Sequence, residues 1–220
     1  MLTATTETYE LVAPSESWRD PLRVVCKRAI DIGGSAFLLV LLSPLFLLLG
    51  LLVRATSRGP VFYPWKVAGK NGRPFTGYKF RSMVANADAV KQSLQSRNEM
   101  TGPMFKITDD PRITRVGRWM RRYSLDELPQ LYSVLKGQMS LVGPRPPLLT
   151  EYAHFSEYQK QKLAVTPGIT CLWQTSGRND IRNFDEWIVL DLEYIRRWSL
   201  WLDFQILWRT AWVVLAGSGK

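Results

Sequence analysis

Apolar and polar positions are distributed very unevenly along this chain. Ala36 to Val53 reads AFLLVLLSPLFLLLGLLV, 18 residues without a charge, and at about 1.5 Å per helical residue it just spans a hydrocarbon layer roughly 30 Å thick. Ser43-Pro44 sits at its centre, where proline removes a backbone donor and kinks a helix while the serine hydroxyl can serve the freed carbonyl. Arg23, Lys27 and Arg28 precede the run, and Arg54, Arg58, Lys66 and Lys70 follow it. Both ends therefore carry the basic label of a cytoplasmic flank. A helix-break-helix hairpin entering and leaving one face satisfies both flanks; a kinked transmembrane helix satisfies the length. Lys27 and Asp31 are four apart on the approach, the spacing of an ion pair at headgroup level or of a merely solvated pair.

Beyond the run, the pattern shortens. VFYPWKV and FTGYKFRSM flank a turn containing Asn71-Gly72 and Pro74, which predicts two strands joined by a loop. Helices are predicted over 84–97, 115–123, 129–136, 148–163 and 184–198, with a Pro- and Asp-rich loop over 104–114. The stretch RRWSLWLDFQILWRTAWVVLAG places Trp198, Trp201, Trp208 and Trp212 among leucines and arginines. An interfacial helix in the plane of a bilayer and a core helix both fit it. The predicted class is α+β, helix-dominated: a tail over 1–20, a hairpin over 21–58, and a catalytic domain over 59–220 ending in the Trp-rich helix.

Composition narrows the partners. Of 220 residues, 46% are hydrophobic, which excludes disorder throughout, and the net charge is +10, which points to a polyanion: nucleic acid, an anionic bilayer or a phosphate-rich substrate. Cys26 and Cys171 match no redox motif, and one histidine leaves few ligands for zinc or haem. The acidic start offers no basic n-region, so no cleavable leader is expected.

The candidate chemistry lies in a few polar residues. No acid occurs between Arg54 and Ala87, while Lys79 and Arg81 are among the cations there. Arg112, Arg115, Arg118 and Arg122 recur every three or four residues, with Arg121 beside them, and lipid headgroups alone would account for both basic groups. Directly after them comes SLDELPQL. Ser124 and Glu127 fit a capping box that needs no catalysis. Asp126 and Glu127 among five arginines also fit phosphoryl transfer: an oxygen nucleophile, an anionic ligand for Mg²⁺, and cations for phosphoryl oxygens. Arg145 follows in SLVGPRP, presented by a proline-stiffened segment that is either a phosphate contact or a structural turn.

In order and spacing, KRAID (27–31), the Ser43-Pro44 break, YKFRSM (78–83), SLDELPQL (124–131), SLVGPRP (140–146) and TPGITCLWQTSGR (166–178) resemble the bacterial sugar transferases known as monotopic phosphoglycosyl transferases. The resemblance covers residues 21 to 216. It implies transfer of sugar 1-phosphate from a UDP-sugar to polyprenyl (undecaprenyl) phosphate at the cytoplasmic face of the bacterial inner membrane. UMP is released, and assembly of exopolysaccharide, capsule or O-antigen begins.

On the same resemblance Asp126 is the nucleophile, giving a phosphosugar-aspartyl intermediate, and Glu127 holds Mg²⁺. Arg121, Arg145 and Lys79 contact phosphate. Lys27, Arg28 and Asp31 anchor a re-entrant hairpin bent at Ser43 and Pro44. Larger members carry additional N-terminal transmembrane helices, which are not expected here, and Cys171 replaces the usual glycine, which puts local backbone geometry in question. Expected partners are the UDP-sugar, polyprenyl phosphate and membrane lipids, with a homo-oligomer left open and no nucleic acid. The competing reading is a noncatalytic basic protein binding lipid or nucleic acid, against which the paired acids among arginines count. A single-pass scaffold would put the two ends of the apolar run on opposite sides. Nothing in the sequence names the sugar.

Overall fold

In the computed structural model, which describes residues 13–176, 181 and 183–217, the apolar run is two helices, α1 (Pro21–Leu41) and α2 (Ser43–Thr56), bent by 62°. Asp20 starts α1 by accepting from the Leu22 and Arg23 amides, with Pro21 at the first helical position. The bend forms where Pro44 has no N–H to offer, and Ser43 Oγ donates instead to the Val40 carbonyl at 2.8 Å. Among the described residues no single helix is long and apolar enough to cross a membrane, but the bent pair is by length and composition. Its outer side is oily: Phe37, Val40 and Leu41 on α1 and Leu47, Leu48 and Leu51 on α2 are all more than half exposed.

Strands β1 (Phe62–Ala68) and β2 (Pro74–Phe80) form an antiparallel ribbon in which Tyr63 faces Lys79 and Trp65 faces Gly77. The left-handed Asn71 and Gly72 make the turn between them. Next come α3 (Ala87–Lys91), the loop that Asn98 clamps by bonding Met100, Met104 and Lys106, α4 (Arg115–Arg122) and α5 (Gln130–Leu135). Strand β3 (Ser140–Val142) leads to α6 (Leu149–Tyr152) and α7 (Glu157–Lys160). It pairs in parallel with β4 (Gly168–Thr170), which runs into α8 (Leu172–Thr175), α9 (Phe184–Arg197) and α10 (Leu200–Leu215).

Two apolar clusters hold this together. The larger joins α5, β3, α8, α9 and α10 through Leu131, Val142, Trp173, Trp187, Ile188, Ile195 and Ile206. The smaller packs Leu49 and Val53 of α2 on Phe80 and Met120, so the ribbon and α4 both rest on the second helix of the bent pair. A polar stripe on α1 does the rest of the joining. Lys27 bonds the Val142 carbonyl at 3.0 Å and Asp203 at 2.6 Å, while Asp31 accepts from Ser140 Oγ and the Leu141 amide. Arg28 donates to the Val134 and Leu135 carbonyls that end α5.

Several expectations are corrected. Lys27 and Asp31 do not pair at the surface; both are buried against β3, and each finds a partner on the surface α1 docks against. The helix expected over 148–163 is α6 and α7 with a 3-10 turn over Gln161–Leu163, because Ser156 and Gln159 form a capping box that starts a new helix. The helix over 84–97 shortens to α3 and a 3-10 stretch. Trp198 is not part of an exposed Trp face: it is 1% exposed and stacks on Trp18 with ring centroids 3.8 Å apart. That stack, with Ser15 and Trp18 bonding the Ile195 carbonyl, fixes residues 15–19, part of the expected tail; residues 1–12 lie outside the described residues, as do Gly177 and Arg178 of the last motif. Cys171 sits in extended backbone (φ −147°) open to any residue, so its place in the motif strains nothing.

Candidate active site at the ribbon end

The arginine-rich helix α4 ends at Arg122, and Ser124 then adopts a left-handed conformation (φ 52°) that turns the chain into a single 3-10 turn, Leu125–Glu127. Its consequence is the placement of both acids. Asp126 and Glu127 are each only 7% exposed and line one cavity of about 590 Å³ together with Lys79, Arg121, Arg145 and Trp65. The capping box predicted from Ser124 and Glu127 does not form. Ser124 makes no side-chain cap, and the Glu127 carboxylate is directed instead at Lys79 (2.7 Å) and Arg145 (3.3 Å).

Each cation is held in place by its own element. Lys79 extends from β2 across the ring of Trp65, 4.1 Å from its centroid, and Trp65 lies over Gly77, where any Cβ would collide with the indole. Burial pushes the Lys79 ammonium below its usual range, against the pull of Glu127. Arg145 rides a loop pinned on both sides: the Gly143 amide bonds Thr170, Gly168 bonds the Pro144 carbonyl, and Ala68 of β1 bonds the Pro147 carbonyl. Burial works against charge on Arg145 more than any single neighbour works for it, but Glu127, with smaller help from Cys171 and Glu151, tips the balance and its pKa is raised. Arg121, in the last turn of α4, donates Nε–H to Ser82 Oγ at 2.9 Å and stands 4.0 Å from Asp126.

The structure thus gathers Asp126, Glu127, Lys79, Arg121 and Arg145 into one site, and puts Lys27, Arg28 and Asp31 at the junction of α1 with β3 and α5 and Ser43 and Pro44 at the bend. Other predicted cations go elsewhere. Arg112 is not on the α4 face; it is buried in the preceding loop, forked onto Asp110 at 2.6 Å. Three contributors were missed by the sequence reading: Ser82, which orients Arg121; Trp65, which carries Lys79; and Asp203, which receives Lys27. Only Trp65 had a visible signal, its place two residues from Tyr63 on the strand that pairs with Lys79.

Two adjacent, largely buried carboxylates ringed by three cations on the wall of one cavity suit a reaction in which negative charge builds on phosphoryl oxygens. For a metal the donor set is small. Among the described residues no three acidic, histidine or cysteine side chains gather as a cluster. Two carboxylates, one of them already bonded to Lys79 and Arg145, could supply only part of a Mg²⁺ shell, which substrate phosphates and water would have to complete.

Comparison with known proteins gives the same direction. The family model described as bacterial sugar transferase matches residues 22–217. The chain is 45% identical over 98% of its length to a galactosyl transferase CpsE of Streptococcus agalactiae, covering 48% of that protein. It is 44% identical over 88% of its length to an undecaprenyl-phosphate galactose phosphotransferase of Salmonella typhimurium, covering 41% of it. The chain thus spans about half or less of these two relatives. Against an exopolysaccharide production protein ExoY of Rhizobium meliloti, 38% identical, it spans 91% of itself and 90% of the relative. With the family model matched from the first turn of α1 to the end of α10, this chain belongs to the bacterial sugar transferase family.

Proposed function

We propose that this protein transfers sugar 1-phosphate from a UDP-sugar to undecaprenyl phosphate, the first membrane step of a surface polysaccharide, working at the cytoplasmic face of the bacterial inner membrane. The observation that carries the reading is the buried Asp126–Glu127 pair enclosed by Lys79, Arg121 and Arg145 beside the apolar bent hairpin. Relatives named for undecaprenyl-phosphate galactose or glucose phosphotransfer support the reaction class.

In this reading an Asp126 oxygen attacks the phosphorus that bears the sugar. The pyrophosphate P–O bond breaks, and UMP leaves with the bridging oxygen and its electron pair. An oxygen of the acceptor phosphate then attacks the same phosphorus, the bond to Asp126 breaks, and the carboxylate is restored with undecaprenyl diphosphate-sugar as product. Arg121 and Arg145 hold phosphoryl oxygens, and Lys79 orients Glu127. Glu127 would hold Mg²⁺, which when bound offsets the diphosphate charge. The hairpin re-enters the bilayer without crossing, and α10 lies in the interface with Trp201, Trp208 and Trp212 outward, each at least 60% exposed. That arrangement keeps the dyad at the height of a lipid phosphate that cannot leave the membrane.

The test is UMP release from a panel of UDP-sugars by membranes carrying wild-type chain or Asp126→Asn, with Mg²⁺ and undecaprenyl phosphate. Complete loss in the variant, with a phosphosugar adduct recovered on an Asp126 peptide from the wild type, is expected. An active variant, or an adduct on another side chain, removes Asp126 from the role.

A further inference from the structure

Arg81 is a buried guanidinium outside the dyad, 5% exposed, and no carboxylate among the described residues bonds it. All its acceptors belong to the chain leaving the hairpin: Nη1 donates to the Arg58 carbonyl at 2.9 Å, and Nη2 to the Ser57 carbonyl and hydroxyl, both at 2.8 Å. The guanidinium thus closes the C-terminal end of α2, where the helix dipole favours a cation. Gly59 lets the chain pass over it. With φ +123° and a Cβ position that would collide with Arg81 Nη1, no other residue fits there without moving the guanidinium.

What makes this contact more than a cap is its place directly after β2. Lys79, Phe80, Arg81 and Ser82 are consecutive, and each side chain goes to a different part of the molecule. Lys79 bonds Glu127, Phe80 packs on Leu49 and Val53 of α2, Arg81 grips residues 57–58, and Ser82 Oγ orients Arg121. The Ser82 carbonyl also receives the Thr114 amide at the start of α4, and Gly117 lets that helix lie against it. Any shift of the strand relative to the hairpin exit therefore moves Lys79 and Arg121 together.

We infer that Arg81, seated under Gly59, is a positioning residue that locks two of the dyad's cations to the exit of the membrane hairpin, so that the site is in register only when the hairpin is seated. It rests on the reaction proposed above, and it makes a claim about cation placement that can be measured without turnover. Arg81 acts through Lys79 and Arg121.

The experiment compares wild type with Arg81→Ala, Arg81→Lys, Gly59→Ala and Ser57→Ala, each as the full chain in membranes. Three quantities are read: kcat and donor KM for UMP release, affinity for UDP by calorimetry after detergent extraction, and the melting temperature. A misplacement near 1 Å costs about a hundredfold in rate. The expected result is therefore a fall in kcat of about tenfold to a hundredfold in Arg81→Ala and Gly59→Ala, with a smaller rise in KM and weaker UDP binding. Ser57→Ala, which removes one of three acceptors, and Arg81→Lys, which keeps charge but not the fork, should fall between. Because Gly59→Ala alters no polar group, its agreement with Arg81→Ala separates displacement from lost charge. If Arg81→Ala does not fold, Gly59→Ala and Ser57→Ala carry the test. Folded Gly59→Ala with wild-type kcat and UDP affinity overturns the inference, as does a loss that tracks melting temperature alone and is absent well below it. If wild type turns over no UDP-sugar, yet UDP binding falls in Gly59→Ala, the reaction reading fails and the positioning role stands.

Discussion

Separating Lys27 from Asp203 should destabilise the fold far more than a surface ion pair would, and removing both should not. The pair is 2.6 Å long with side chains 8% and 10% exposed. Asp203 also accepts from Tyr194 Oη at 2.8 Å and from Trp198 Nε1 at 3.1 Å, while Lys27, if Asp203 is lost, keeps one hydrogen bond, to the Val142 carbonyl, and the more distant charge of Asp31. Breaking one partner of such a buried pair costs about 3–5 kcal/mol, because the other charge stays in a low-dielectric interior. At about 2–4 °C per kcal/mol for a chain of this size, Asp203→Leu and Lys27→Met should each lower the melting temperature by about 6–20 °C. The double variant removes both charges. It leaves the Tyr194 hydroxyl its bond to the Val142 carbonyl and Asp31 its bonds to Ser140 Oγ and the Leu141 amide, though not the charge of Lys27, and it orphans the Trp198 indole N–H, a loss of about 1–3 kcal/mol. It should therefore melt above either single variant. Thermal unfolding in detergent, followed by tryptophan emission, reads all three, with Trp198 an internal reporter. Additive losses within about 0.5 kcal/mol would show that the two groups do not depend on each other and would refute the argument.

Two further outcomes follow from burial. Cys171 is 1% exposed, and burial pushes its thiol up to about 12, so at pH 8 only about one molecule in 10⁴ carries the thiolate. Iodoacetamide at that pH should label half-buried Cys26 and spare Cys171 until denaturant is added; rapid labelling of Cys171 in the folded chain contradicts the packing. For α10, brominated lipid should quench emission from Trp201, Trp208 and Trp212, which are at least 60% exposed, and not from Trp198. Replacing Trp208 and Trp212 by Phe should remove much of the quenchable signal, and an unchanged signal would take α10 out of the interface.

The bend, the ribbon, α4, α5 and α9 were all legible because their signals are local: a proline, a turn pair, an apolar stripe. What the sequence hid were contacts whose partners lie far along the chain. Lys27 and Asp31 look like an i,i+4 pair until α1 is docked, and then the free energy of burying both is recovered from Asp203, Ser140 and the Leu141 amide, more than a hundred residues away. Trp198 reads as one of four interfacial tryptophans, yet it lies before α10, where the chain turns it inward onto Trp18. Arg112 keeps the spacing of the α4 arginines without being in the helix, since Thr114 caps it two residues later.

The site itself was legible as composition and ambiguous as geometry, and one dihedral decides between its readings. Had Ser124 been an extended N-cap, the Glu127 carboxylate would have folded back onto the Ser124 amide as in a capping box. With Ser124 left-handed and the next three residues in a 3-10 turn, successive side chains splay by about 120°. Glu127 then reaches Lys79 and Arg145, contributed by β2 and the loop after β3, while its neighbour Asp126 is directed toward Arg121 at the end of α4. A left-handed serine costs of order 1–3 kcal/mol and survives only where the surroundings over-determine it, here a turn closed by the Ser124 amide on Arg121 and the Glu127 amide on Ser124. The strained turn puts both in the cavity on different partners, Glu127 on Lys79 and Arg145 and Asp126 beside Arg121.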